Sequence, residues 1–343
     1  MTITGARVYR ESLPLATPFV TALRRVDDVS FVVLALQTDS GHTAYGSAPA
    51  TKAITGETLE SIEAALQHHI LPFLLGRPFE FETLLHAVAA SLPGNSSAKA
   101  AADMALYSLA AQKKSLPLYR YLGARKAAPV TTAVTVSLGA PDVMRTKAAE
   151  LFRNGYDILK VKVGGGDGLD ALRIREISEA LPDAQLLVDA NQAWSLEESL
   201  AFIDACADLP LALIEQPVPA ADLDALRQIT EHSPFPILAD EAVFDAEDAR
   251  CVLDKGAANL INIKLMKCGG LSGALGILDV CRSYGIQCML GSMLEGPVSI
   301  TAALHLAAAY PDRFAWIDLD SPLLYRTLPA NLPFTVDGNR YVL

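Results

Sequence analysis

No apolar run in this 343-residue chain approaches the roughly 18 residues that a membrane-spanning helix needs, and no basic segment followed by an apolar stretch opens it. A cytoplasmic protein without membrane contact is the expectation. Cysteine is scarce: Cys206, Cys251, Cys268, Cys281 and Cys288 are odd in number and form no CxxC pair. That argues against a disulfide or zinc framework and for reduced thiols in small core positions. Positive charge is also in short supply. The formal net charge is -11 and no dense basic run offsets it locally, so binding to nucleic acid is disfavoured. The six histidines show no pairing at metal spacing. What is plentiful is apolar material, 51% hydrophobic against 20% charged residues, enough to bury a large core.

The chain changes rhythm once. Its first third opens with strand-like sequence, FVVLALQT (Phe31 to Thr38) being the clearest run, and continues in helical patterns that include the Ala-rich stretch Ser96 to Gln112. An N-terminal α+β domain over residues 1–125 is expected. Beyond it, short β-branched runs alternate with helix-length segments: TTAVTVSLG, ILKVKVG, AQLLVDAN, LALIEQPV, FPILADEA, NLINIKLMKCGG, IQCMLGSM and AWIDLDSP. Eight strands separated by helices predict an α/β fold of the (β/α)8 barrel type over residues 126–325. Residues near the ends of seven runs, Lys162, Asp189, Glu215, Asp240, Lys264, Gly291 and Asp318, recur at nearly constant steps, 27 residues for the first and 24 from Asp240 to Lys264. One strand, loop and helix per unit produces such a step. The remaining segment, 326–343, is expected to pack back on the first domain.

In such a barrel the active site is assembled where strands end, so charged residues there read as chemistry. Residues two apart in a strand share a face, so Lys160 and Lys162 project side by side with Ile158, while Leu159, Val161 and Val163 point the other way. Asp189, Glu215 and Asp240 end three consecutive strands. Three converging carboxylates call for a cation, and an all-oxygen set suits Mg²⁺. Asn191 shares a face with Asp189. Glu241 has the opposite parity to Asp240 and reads as a supporting or outward partner. Lys264 shares a face with Asn262 and is the inward lysine of its strand; Lys267 reads as a solvated loop charge. The lysine strands, second and sixth of eight, face each other across the barrel. A substrate carbon held between them has a base on each face, provided that burial and neighbouring cations lower the lysines' proton affinity.

The set KVK, VDAN, EQP, ADE and NIKLMKCGG resembles the enolase superfamily, in particular its muconate-lactonizing subgroup, over nearly the whole chain. The resemblance implies that residues 1–125 cap the barrel and that Asp189, Glu215 and Asp240 bind Mg²⁺. It further implies that Lys162 and Lys264 abstract and return an α-proton, with Lys160 stabilising the enediolate oxygen. IDLDSP places Asp318 and Asp320 on one face at the last strand, and this DxD resembles the signature of dipeptide epimerases, where it binds the substrate's N-terminal amine. TALR, ending at Arg24, resembles the motif whose arginine contacts the side-chain carboxylate in Ala-Glu epimerases; Arg25 is the fallback.

The expected function is Mg²⁺-dependent inversion of the C-terminal residue of a small-molecule dipeptide, with L-Ala-D/L-Glu as the leading substrate. Gly296 and Pro297, where some Ala-Glu epimerases carry a lysine, leave a hydrophobic dipeptide open, and Asp27 and Asp28 near Arg24 a cationic one. Rival readings are o-succinylbenzoate synthase or muconate cycloisomerase, whose substrates have no ammonium for Asp318 and Asp320. A Schiff-base lyase and a non-catalytic binding protein complete the set; both leave three carboxylates unexplained. Barrels of this kind often assemble as homo-oligomers.

Overall fold

The computed structural model describes residues 1–343. Its first strands, β1 (Ile3–Val20), β2 (Arg25–Thr38) and β3 (Thr43–Pro49), form an antiparallel sheet in that order. FVVLALQT reads as an unbroken apolar run because β2 is buried on both faces. Val32, Leu34 and Leu36 join the main core, whereas Val29, Phe31 and Val33 pack with Leu15, Leu294 and Tyr325. The second face thus rests on barrel loops. The Ala-rich segment is a helix, Ser96–Lys113, lying close on β3. Gly46 permits the approach, since a Cβ there would fall 1.7 Å from the Ala101 carbonyl oxygen.

We place the division between the two domains near residue 125, in the irregular stretch between the helix Leu118–Tyr121 and β4 (Val130–Thr131). The barrel strands follow: β5 (Val134–Val136), β6 (Ile158–Lys162), β7 (Gln185–Asp189), β8 (Leu211–Glu215), β9 (Ile237–Ala239), β10 (Leu260–Lys264), β11 (Cys288–Gly291) and β12 (Phe314–Asp318). Each pairs in parallel with its sequence neighbour. Ala133 N–H donates to the Ile317 carbonyl at 2.8 Å, bringing the first strand to the last. The fold is a (β/α)8-type barrel. Helices cover its outside, and Ala133, Leu187, Leu213, Leu238 and Met289 fill its interior as the floor beneath the strand ends. All five cysteines are free, and no helix is long and apolar enough to cross a membrane.

β13 (Thr335–Asp337) and β14 (Arg340–Val342) form a hairpin that pairs with β4 and not with a strand of the first domain. The open edge of β4 supplies the unpaired backbone groups. Asn339 Nδ2 donates to the Thr132 carbonyl, Thr132 N–H to the Asn339 carbonyl, and the Tyr341 hydroxyl to the Leu319 carbonyl. The hairpin therefore braces the junction of the first and last barrel strands. Ahead of it, Pro333 lines a surface groove together with Tyr45 and Met104 of the first domain.

Candidate active site

Alternation along β6 decides which lysine atoms reach the barrel axis. Leu159, Val161 and Val163 are fully buried in the core between strands and helices, and Ile158 packs with the interior floor. Lys160 and Lys162 accordingly rise on the inner face, 1% and 6% exposed. Lys160 Nζ stands 2.7 Å from Glu215 Oε2, 2.7 Å from Asp318 Oδ2 and 3.1 Å from Asp189 Oδ2. Lys162 Nζ lies 2.6 Å from Asp189 Oδ2 and 5.9 Å from the centre of the Phe19 ring. Across the barrel, Lys264 Nζ is 2.6 Å from Asp240 Oδ2. Gly291, beside Lys264 in register, makes room for this: a Cβ there would be 2.6 Å from Asn262 Oδ1 and 3.1 Å from Lys264 Cε.

Local chemistry at the strand ends aims the acids. Lys162, Asp189 and Glu215 are lateral neighbours in register. After Asp189 the chain enters left-handed backbone at Asn191 (φ 45°) and Gln192 (φ 68°), and Asn191 N–H donates to Asp189 Oδ1 at 2.9 Å. Gln216 (φ 35°), following Glu215, accepts from the N–H groups of Asp240 and Ala242 at 2.9 and 3.1 Å and donates to the Val218 carbonyl. The glutamine of EQP thus fixes the end of β9. Asn262 Nδ2 holds Glu215 Oε1 at 2.8 Å, and Asn191 Nδ2 approaches Glu241 Oε1 at 3.3 Å. Glu241 is turned into the site and lines its pocket.

The electrostatics differ from the expected pattern for the lysines. Burial disfavours the charged forms of Lys160 and Lys264, but the surrounding carboxylates, led by Asp318 and Asp240 respectively, outweigh it and raise both above the usual lysine range. For Asp189, Glu215, Asp240, Glu241 and Asp320 burial is the largest influence. Asp189 and Asp240 are nonetheless held low by their ammonium partners. Burial and the adjacent Asp189 push Glu215 up, while Glu241 and Asp320 rise to about 7 and about 6, through burial and then Asp240 and Asp318.

Lys267 corrects the sequence reading outright. It is 2% exposed, and its Nζ lies 2.7 Å from Asp240 Oδ1. The Gly269-Gly270 pair that follows it, both with positive φ, was the available signal, since it marks the end of a turn that has already left the strand at Lys264.

No three acidic, histidine or cysteine side chains are gathered about one point as a metal cluster, because ammonium groups occupy the spaces between the acids. The donor set still fits a hard divalent cation. It is entirely oxygen, six buried carboxylates (Asp189, Glu215, Asp240, Glu241, Asp318, Asp320) meet only four ammonium groups (Lys160, Lys162, Lys264, Lys267), and Asn191 Oδ1 and Glu241 Oε2 are buried without a hydrogen-bond partner.

One pocket above this cluster is lined by Lys160, Lys162, Lys264, Asn191, Glu241, Asp318 and Asp320, with Thr135 and Ser292. Asp318 Oδ1 has no hydrogen-bond partner, and Asp320 Oδ2 accepts from Thr135 N–H at 2.8 Å. The first domain contributes Phe19, Thr21, Leu23, Arg24, Ala53 and Ile54, and the loop after β11 adds Met293 and Leu294. Sequence patterning did not single out these apolar walls. Arg24 is half-buried with no ion-pair partner within 4.0 Å, and burial lowers its proton affinity. Arg25 instead points outward, 3.7 Å from Asp27, and Asp28 is bonded to Ser12 and Ser30. Gly296 does not line the pocket; a Cβ there would lie 2.5 Å from the Phe31 ring.

Comparison with known proteins covers both domains. Residues 3–123 match the mandelate racemase / muconate lactonizing enzyme N-terminal domain, and residues 143–342 match the enolase C-terminal domain-like family. The chain is 47% identical to the L-amino acid-D/L-Glu epimerase of Sulfurimonas denitrificans, over 98% of each chain. Its fold is similar to that of the L-Ala-D/L-Glu epimerase from Bacillus subtilis in a substrate-liganded complex, with a TM-score of 0.97 and 40% identity, over 100% of this chain and 96% of that one. It is also similar to the dipeptide epimerase from Enterococcus faecalis complexed with Mg and L-Leu-L-Tyr, with a TM-score of 0.93 and 37% identity, over 100% and 97%.

Proposed function

Because the chain belongs to the enolase superfamily, within its mandelate-racemase and muconate-lactonizing group of isomerases, we propose that it is a Mg²⁺-dependent dipeptide epimerase. It inverts the α-carbon of the C-terminal residue, with L-Ala-D/L-Glu as the leading substrate. One observation carries the reading: Lys162 and Lys264, from strands four places apart in a ring of eight, line one pocket on opposite sides of the acid cluster. Asp189, Glu215 and Asp240 would hold the cation. When bound, Mg²⁺ supplies the positive field that fixes the substrate carboxylate and makes its α-proton removable.

The remaining work falls to side chains. One lysine, neutral once its carboxylate partner is given over to the cation, takes the α-proton as a general base, the carbon becomes planar in the enediolate, and the ammonium of the other lysine returns a proton to the opposite face. Atoms and charge balance without a redox cofactor. Lys160 lies deepest and donates to the oxygen on which charge develops. Asp318, with its free Oδ1, and Asp320 receive the α-ammonium of the first residue, which the synthase and cycloisomerase substrates lack. Asn191 and Glu241 orient this acid set from its rim. Arg24 carries the preference for an acidic second residue, being the one arginine that lines the pocket and lacking an internal partner.

The test is incubation with Mg²⁺ and L-Ala-L-Glu in D₂O, following α-deuterium at the glutamate by NMR. Exchange with inversion is expected. Lys162→Ala and Lys264→Ala should each abolish inversion while preserving the fold, and near-native turnover by either variant would refute the two-base assignment. Faster exchange on L-Leu-L-Tyr than on L-Ala-L-Glu would leave the chemistry standing and overturn the substrate assignment.

A further inference from the structure

The Mg²⁺ reading leaves Lys267 without a task, yet this lysine is buried, held by two main-chain carbonyls and a carboxylate, and absent from the pocket wall. Directly after Lys264 the chain turns into the short helix Leu265–Cys268, which returns Lys267 beneath the strand ends. An ammonium has three donors and no acceptor. Lys267 donates to the Asp240 main-chain carbonyl and to the Asn262 carbonyl at 3.0 Å, and its Nζ forms an ion pair with Asp240 Oδ1 at 2.7 Å. The side chain thus clips the end of β9 to β10 and occupies one oxygen of Asp240 while Oδ2 faces Lys264. Asn262, whose carbonyl it grips, holds Glu215 with its side chain. Two of the three acids assigned to the cation are therefore braced through this single ammonium. The support is itself anchored: Leu271 N–H donates to Asp103 Oδ1 at 2.6 Å, from a helix of the first domain.

We propose that Lys267 is a positioning residue for the divalent-cation site: it fixes the Asp240 carboxylate and the β9–β10 spacing, and touches neither substrate nor the reacting carbon. The proposal rests on the Mg²⁺ reading above. Charge and geometry make opposite predictions here. A fixed cation 2.7 Å from Asp240 repels a second cation, so its removal would tighten Mg²⁺ binding if balance of charge were its only role. If positioning dominates, removal loosens the site, as the loss of a group that orients a metal ligand typically does, by about 10- to 100-fold.

The experiment is titration of the full chain with Mg²⁺ alone, by calorimetry, for the wild type, Lys267→Met and Lys267→Gln. Met matches the length without the charge; Gln retains a donor and serves if the Met variant fails to fold. Binding weakened about 10- to 100-fold, with kcat recovered at saturating Mg²⁺ and the dipeptide KM unmoved, is the expected result. Unchanged or tighter Mg²⁺ binding would overturn the positioning role, as would a kcat that saturating Mg²⁺ fails to restore. Absence of Mg²⁺ binding in the wild type would instead overturn the cation reading itself.

Discussion

Glu295 shows how one buried acid writes a pH dependence into this fold. It is 1% exposed on the loop after β11, its Oε1 accepts from Met293 N–H at 2.9 Å, and burial pushes its carboxyl up to about 7 against the lowering influence of Ser299 and Lys264. The folded state therefore binds a proton that the unfolded chain has already released between about pH 4.5 and 7. Stability from this group is complete below that window, falls as pH rises through it, and is lowest above it. Glu295→Gln keeps the acceptor and removes the charge. The unfolding free energy of the variant should match that of the wild type near pH 4.5 and exceed it increasingly up to about pH 7, above which the difference levels off on the order of 3 kcal/mol at about 1.4 kcal/mol per pKa unit. A gap that stays constant from pH 5 to pH 8 would show that Glu295 does not titrate in this way.

The short connection between β10 and the helix Leu271–Ser283 is the most constrained turn near the site. Gly270 sits at φ 110°, and a Cβ there would fall 2.4 Å from Asp103 Oδ1 and 2.6 Å from Asp103 Cβ, in a helix of the other domain. Gly256 also has a positive φ, 63°, in the milder left-handed region, with nothing within 4 Å. Gly270→Ala should therefore cost about 2 to 4 kcal/mol, backbone strain plus overpacking, whereas Gly256→Ala should cost about 1 kcal/mol. Denaturant unfolding of the two variants measures the difference, and equal losses would mean that Asp103 yields freely. Side-chain alternation made Lys160, Lys162, Asp189, Glu215, Asp240 and Lys264 legible, because period 2 leaves little freedom once the strand is recognised. It could not find Lys267, which leaves the strand and enters a helical turn, where that parity no longer applies. The partner strand of the C-terminal hairpin was illegible for a related reason: pairing partners of a short terminal strand are set by which edge is open, and the edge of β4 was invisible in a run that read as one strand.

Barrel and N-terminal sheet meet in a way that periodicity could announce only in outline. The near-constant step of strand ends made eight units visible, but the seating of the first domain rests on contacts distant in sequence. Phe31 packs on the backbone at Gly296, Arg326 N–H donates to the Pro14 carbonyl at 2.8 Å, and Leu138 N–H donates to the Val20 carbonyl at 3.0 Å. These hold the β1–β2 hairpin over the strand ends. Its tip is shaped by Thr21, whose hydroxyl accepts from the N–H groups of Leu23 and Arg24. The proposed chemistry thus comes from one domain and the proposed side-chain preference from the other. Arg24→Met should separate them. Losing a charge-assisted hydrogen bond of about 1.5 to 3 kcal/mol predicts a fall of about 10- to 100-fold in kcat/KM for L-Ala-L-Glu. For a dipeptide with an apolar second residue, kcat/KM should hold or rise, because Leu23, Ile54 and Met293 already line the pocket. Equal losses on both substrates would mean that Arg24 holds the hairpin in place and does not read the substrate. Rates over a panel of L-Ala-X dipeptides, with α-proton exchange as the common readout, distinguish the two outcomes, since exchange reports on the lysines whichever side chain the hairpin admits.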